Sequence, residues 1–134
     1  MSDRITIIEQ DITTVTNGIV CHQVNCRGRM GSGVALSIAK KWPIVEREYR
    51  YLCDRTHPLH KNLGECQIVE IHSPLFVCNI FGQDGYGSPK DGKQYTNYEA
   101  VEQAFSTLGK ITRDVDDLNF YLQTAYIPWM MGLS

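Results

Sequence analysis

Ile19-Val20-Cys21-His22-Gln23-Val24-Asn25-Cys26-Arg27-Gly28-Arg29-Met30-Gly31-Ser32-Gly33-Val34 is the stretch on which the fold turns. Ile19 to Val24 is rich in branched side chains and reads as a strand. A glycine loop runs from Asn25 to Gly33, after which Val34, Ala35, Ile38, Ala39 and Trp42 fall on one helical face. A strand that passes through glycines into a helix gathers backbone N–H groups at the positive end of the helix dipole. That geometry favours phosphate or diphosphate. Glycine suits the place because a side chain would block the anion or forbid the φ that the turn needs. A tight strand-to-helix turn without a ligand fits the same residues. The loop is not a P-loop, since Gly-Lys-Ser/Thr is absent, and it follows the second strand rather than the first, which weakens a nicotinamide-dehydrogenase reading.

On the N-terminal side, Ile5 to Glu9 reads as the first strand, set off by the turn-prone Thr16-Asn17-Gly18. On the other side, Pro43 at a first helical position starts a helix with Val45, Tyr49 and Leu52 inward and Glu46, Arg47, Glu48 and Arg50 outward. Cys66 to Ile71 and Leu75 to Ile80 read as a strand pair joined around His72-Ser73-Pro74, followed by a long polar loop from Phe81 to Tyr95. Thr96 with Glu99 forms a capping-box signature for a helix whose apolar stripe is Tyr98, Val101, Phe105 and Leu108. Phe120 to Ile127 is the last strand. Strands alternating with helices predict an α/β layered fold with ligands at the strand ends.

The 134 residues are 43% hydrophobic and 21% charged, the balance of an ordinary globule, and residues 1–134 are expected to form one domain. No apolar run is long enough to span a membrane, and the polar start has no secretory character, so a cytoplasmic protein is expected. Thirteen basic against fifteen acidic residues leave a net charge of −2, which argues against binding nucleic acid by neutralising many phosphates. The charge is uneven: residues 1–61 carry net +3 and residues 62–134 net −5, so an anion site belongs to the first part. Five cysteines without a CxxC fit reduced thiols. The set Cys53, His57, His60 and Cys66 matches no common zinc spacing, and neither a metal nor a cofactor is expected.

Three further positions carry chemistry. Asp11, before Ile12 at the end of the first strand, can accept from an exocyclic amine while the next N–H meets a ring nitrogen, or it can cap a turn at Thr13 and Thr14. His22 shares a strand face with Val20 and Val24, as an acid/base or as a satisfied buried histidine. Asn25 can grip sugar hydroxyls or tie the loop back on itself.

Taken together, Gln10-Asp11-Ile12, His22-Gln23-Val24-Asn25-Cys26, Met30-Gly31-Ser32-Gly33-Val34-Ala35, Asn79-Ile80-Phe81 and Asn97-Tyr98-Glu99-Ala100 resemble the macrodomain family. The short interval from Asn25 to the glycines resembles the branch of the yeast-type ADP-ribose 1″-phosphate phosphatases and terminal ADP-ribose glycohydrolases. The resemblance implies a three-layer α/β/α fold with a mixed central sheet, here lacking the last helix and strand. It implies that Asp11 and Ile12 hold adenine, that Met30, Gly31, Ser32, Gly33 and Val34 hold the diphosphate, and that Asn25 approaches the distal ribose. Met131, Gly132 and Leu133 match the start of a second phosphate loop. His22 matches a histidine proposed as acid or base, Lys93 (or Lys90) would supply a Schiff-base lysine, and Asp84 could orient a water. The implied activity is hydrolysis of ADP-ribose 1″-phosphate or of an ADP-ribosyl adduct on a macromolecule. The alternative is a non-catalytic ADP-ribose reader. An unpaired edge at the last strand would offer a route to self-association.

Overall fold

The computed structural model describes residues 10–31, 33–86 and 95–122. The expected strand from Ile5 to Glu9 lies outside them. After a 3₁₀ turn at Ile12–Thr14 come β1 (Gly18–Asn25), α1 (Gly33–Lys41), α2 (Pro43–Asp54), a second 3₁₀ turn at Leu59–Asn62, β2 (Cys66–His72), β3 (Leu75–Gln83), α3 (Tyr98–Thr112) and β4 (Phe120–Tyr121). The strands lie in the order β2-β3-β1-β4. β1 pairs in parallel with β3 and β4, and β2 runs antiparallel to β3, so the sheet is mixed as expected.

β1 and β3 are central and covered on both faces, which is why they read as nearly unbroken apolar runs rather than as alternating ones. Val20 and Val24 of β1 join Val77 and Phe81 of β3 beneath α1 and α2, together with Ile38, Val45 and Tyr49. Ile19 and Cys21 join Cys78 and Ile80 on the opposite face beneath Val101, Ala104, Phe105 and Leu108 of α3. Helices therefore cover both faces of the sheet, giving the three layers. Pro43 begins α2, where the missing N–H costs nothing.

Besides single-residue extensions of β1 at both ends and of β2 at His72, three boundaries differ from the sequence expectation. Phe81 to Gln83 continue β3 rather than open the loop, because Phe81 and Gly82 are buried. The cap of α3 is Asn97, whose side chain accepts from the Ala100 N–H at 3.0 Å, while the Thr96 hydroxyl accepts from Gln23 Nε2 instead. Tyr98 stands 46% exposed, and Ala100 and Ala104 complete the buried stripe in its place. Of the expected last strand, β4 is seen at Phe120–Tyr121, and residues 123–127 lie outside the described residues. The β1/β3 register slips at its end: Val24 faces Phe81 but Asn25 faces Gln83, and the bypassed Gly82 carbonyl accepts from the Asn97 N–H at 2.6 Å.

Candidate functional site

Because β1 and β3 are parallel neighbours, Asn25 and Gln83 end at the same edge of the sheet. The glycine loop leaves from one and Asp84 follows the other. Such strand ends are where open α/β sheets take ligands. Gly33 opens α1 with φ +60°, a conformation that side chains disfavour. A Cβ placed on Gly31 or Gly33 would meet no heavy atom within 4 Å, so open space lies over both. The first N–H groups of α1 have no intrahelical acceptor. Val34 is half-buried. Met30 is only 2% exposed and packs in the core. Ser32 lies outside the described residues.

Asn25 organises the loop. Its Oδ1 accepts from the Arg27 N–H at 2.8 Å and, at 3.4 Å, from that of Arg29, while its Nδ2 donates to the Arg29 carbonyl at 2.9 Å. The Tyr49 hydroxyl lies 2.6 Å from the Asn25 carbonyl oxygen and 2.8 Å from Oδ1, donating toward them, and accepts from the N–H groups of Gly28 and Arg29 at 3.1 Å each. Of the two roles open to Asn25, tying the loop back is the one its bonds express. Tyr49 was legible only as an inward residue of α2; nothing local in the sequence marks its reach to a loop twenty residues earlier.

Asp11 caps the 3₁₀ turn: its Oδ1 accepts from the Thr13 N–H at 2.9 Å and from the Thr13 hydroxyl at 2.8 Å. Those bonds, the backbone one foremost, hold its carboxyl below the usual carboxylate range. Ile12 packs partly buried against the core. Asp84 pairs through Oδ2 with Arg27 Nη2 at 3.3 Å, and its carbonyl accepts from the Cys26 N–H at 3.1 Å. Its Oδ1 is buried with no hydrogen-bond partner among the described residues.

His22 is 1% exposed. Its Nε2 bonds Asn79 Oδ1 at 2.5 Å, Asn79 Nδ2 donates to Gln67 Oε1 at 2.9 Å, and Gln67 Nε2 donates to the Glu48 carbonyl at 3.0 Å. The chain crosses the sheet to α2, and Nδ1 has no hydrogen-bond partner among the described residues. Burial pushes the imidazole down to about 4, against a smaller upward pull from the Asn79 bond, so it is neutral near pH 7. This is the buried-histidine arrangement; the imidazole offers the opening no solvent-exposed atom. Burial, with the Asp84 carboxylate nearby, pushes the Cys26 thiol up to about 11, which leaves it a poor nucleophile. Cys53 packs beneath α1 and α2 and Cys66 beneath α3, so the sheet separates the two sulfurs of the weighed zinc set. Among the described residues no group of three His, Cys, Asp or Glu side chains could hold a metal. Lys90, Lys93, Met131, Gly132 and Leu133 lie outside the described residues. No helix among the described residues is long and apolar enough to cross a membrane.

No family model matches the chain. Two curated relatives are ADP-ribose 1″-phosphate phosphatases. That of Candida glabrata is 32% identical over 107 residues, covering 75% of this chain and 58% of the relative. That of Saccharomyces cerevisiae is 31% identical over 78 residues, covering 57% of this chain and 43% of the relative. The chain thus spans about half the length of these relatives. Among solved structures, a macrodomain protein from Streptomyces coelicolor superposes with TM-score 0.69 at 24% identity, covering 84% of this chain and 73% of that one. The macrodomain of Mycobacterium tuberculosis DarG gives 0.71 at 18%, covering 87% and 73%. Thermosipho africanus DarTG in complex with ADP-ribose gives 0.60 at 12%, covering 79% and 29%.

Proposed function

Since the chain has the macrodomain fold and resembles the yeast-type branch in sequence, we propose that it binds ADP-ribose over its glycine loop and hydrolyses an ADP-ribose derivative, either ADP-ribose 1″-phosphate or an ADP-ribosyl adduct on a macromolecule. The observation that carries this reading is the empty space above Gly31 and Gly33 at the start of α1, where a diphosphate would meet backbone N–H groups. Asp11 and Ile12 would take the adenine. Only Oδ1 of Asp11 is engaged by Thr13, which leaves Oδ2 for an exocyclic amine. Ser32 and the segment of Met131, Gly132 and Leu133 would complete the phosphate contacts.

For hydrolysis, Asp84 is the carboxylate best disposed among the described residues. Arg27 fixes its Oδ2, and its buried Oδ1, which has no partner among the described residues, can accept a proton from a water or a ribose hydroxyl. His22 Nδ1 is a neutral lone pair, so a role for it is that of a base taking a proton at that atom. Lys93 would act in the adduct-cleaving version of the reaction through its amine. A second reading, a reader that binds ADP-ribose without turnover, is favoured by the burial of His22.

The test is calorimetry with ADP-ribose beside phosphate release from ADP-ribose 1″-phosphate, using His22→Ala and Asp84→Asn as controls. Binding with release that Asp84→Asn abolishes is the expected result. Binding without release supports the reader, and no heat with ADP-ribose overturns both.

A further inference from the structure

We infer that Tyr49 is a positioning residue for the anion site: its buried hydroxyl holds the loop from Asn25 to Arg29 in the one shape that leaves Gly31 and Gly33 open to a diphosphate. This inference rests on the proposed binding of ADP-ribose at that loop.

Loops with several unpaired N–H groups in succession are themselves ready to wrap an anion. Here the N–H groups of Arg27, Gly28 and Arg29 are already occupied, the first by Asn25 Oδ1 and the other two by the Tyr49 hydroxyl. The phenol stands where an anion would otherwise sit, as a neutral internal ligand. It stays protonated because burial raises its pKa. The residue is fully buried, and its ring packs on Phe81 with centroids 5.8 Å apart, so the hydroxyl cannot follow a moving loop. The ring comes from α2, the loop from the end of β1 and Phe81 from β3, so three elements fix one oxygen. Through that oxygen the Arg29 main chain is held at its N–H, and through Asn25 Nδ2 at its carbonyl, two residues before Gly31. The loop can offer a ligand only the amides beyond residue 29.

Removing the hydroxyl frees the Gly28 amide and leaves that of Arg29 only its long 3.4 Å contact with Asn25 Oδ1, while keeping the ring. Tyr49→Phe retains the packing on Phe81, so the variant separates the bonds from the core. The prediction is a loss of about tenfold or more in ADP-ribose affinity, the equivalent of one buried hydrogen bond, with adenosine affinity, followed by chemical-shift titration, unchanged. A purely structural role would weaken both ligands alike. In the wild-type protein without ligand, the Gly28 and Arg29 amides should exchange slowly with solvent. In Tyr49→Phe they should exchange about tenfold faster or more, while the Val101 amide of α3 keeps its rate.

Fast exchange of Gly28 and Arg29 in the wild type overturns the inference even if the variant fails to fold. So does Tyr49→Phe that binds ADP-ribose as well as the wild type, whatever its exchange rates, or that loses adenosine in equal measure. If the wild type shows slow exchange but no ADP-ribose binding, the proposed function is what has failed, and with it the inferred purpose of the lock.

Discussion

At His22 one imidazole nitrogen is bonded and the other has no partner among the described residues, in a setting too dry to take a proton easily. Its pKa is about 4 folded against 6.5 for the free side chain. Above the unfolded value both states are neutral and the fold has its full stability. As pH falls below that value, only the unfolded chain gains the proton, so stability declines until the folded histidine also titrates. The cost reaches on the order of 3 kcal/mol by the acid end of that window. Urea unfolding at pH 7.5 and pH 5 should show the decline, and His22→Leu should flatten it; an equal pH response in both proteins would contradict the assignment. Asp11→Ala should weaken ADP-ribose roughly tenfold but ribose 5-phosphate hardly at all, since only one of them carries adenine. Equal loss for both would remove Asp11 from the adenine site. These residues could be picked out because each is a titratable group at a strand end or on a strand face. What the sequence left open, cap or adenine contact, core histidine or base, turned on partners such as Asn79 that lie 57 positions away.

The elements were legible in proportion to how local their causes are. β1 and β3 carry two-sided apolar runs, Pro43 marks a helix start, and Gly33 marks a positive-φ turn that favours glycine. The α3 cap falls one residue beyond the Thr96 that the capping-box spacing predicts, because Thr96 and Asn97 are both good capping residues. Gln23 on β1 draws the Thr96 hydroxyl away, a choice that no window around residue 96 contains. Asn97→Ala should therefore cost about 1 kcal/mol of stability by thermal unfolding. Two glycines in α1's approach separate conformation from space. Gly33→Ala should cost about 1 to 2 kcal/mol from its positive φ as well as binding. Gly31→Val should leave the melting temperature nearly unchanged while blocking ADP-ribose, because its side chain would enter only open space. Gly82 is the opposite case. A Cβ there would lie 2.7 Å from Val101 Cγ2 and 2.9 Å from Gln23 Oε1, so Gly82→Ala should cost about 1 to 3 kcal/mol by prying α3 from β3.

Over the whole molecule, the sheet divides two cores, and the glycine loop with its Tyr49 anchor belongs to the one beneath α1 and α2. The glycine loop, α1 and α2 on that side all fall within residues 1–61, which carry the net positive charge, while Val69, Val77 and Phe81 complete the core beneath them. Binding of an anionic nucleotide there should weaken as salt rises from about 0.05 to about 0.5 M, and calorimetry that finds no such trend would separate the site from that field. The layer arrangement was readable from the order of strands and helices. The Tyr49 contact was not, since it joins two elements that neither period nor spacing relates. One carbonyl tells how the layers act on one another. At Gly82 the sheet gives up a rung, and the oxygen so released carries the root of α3. The strand that ends at the glycine-loop edge of the sheet and the helix behind the sheet are thus fastened at a common rivet.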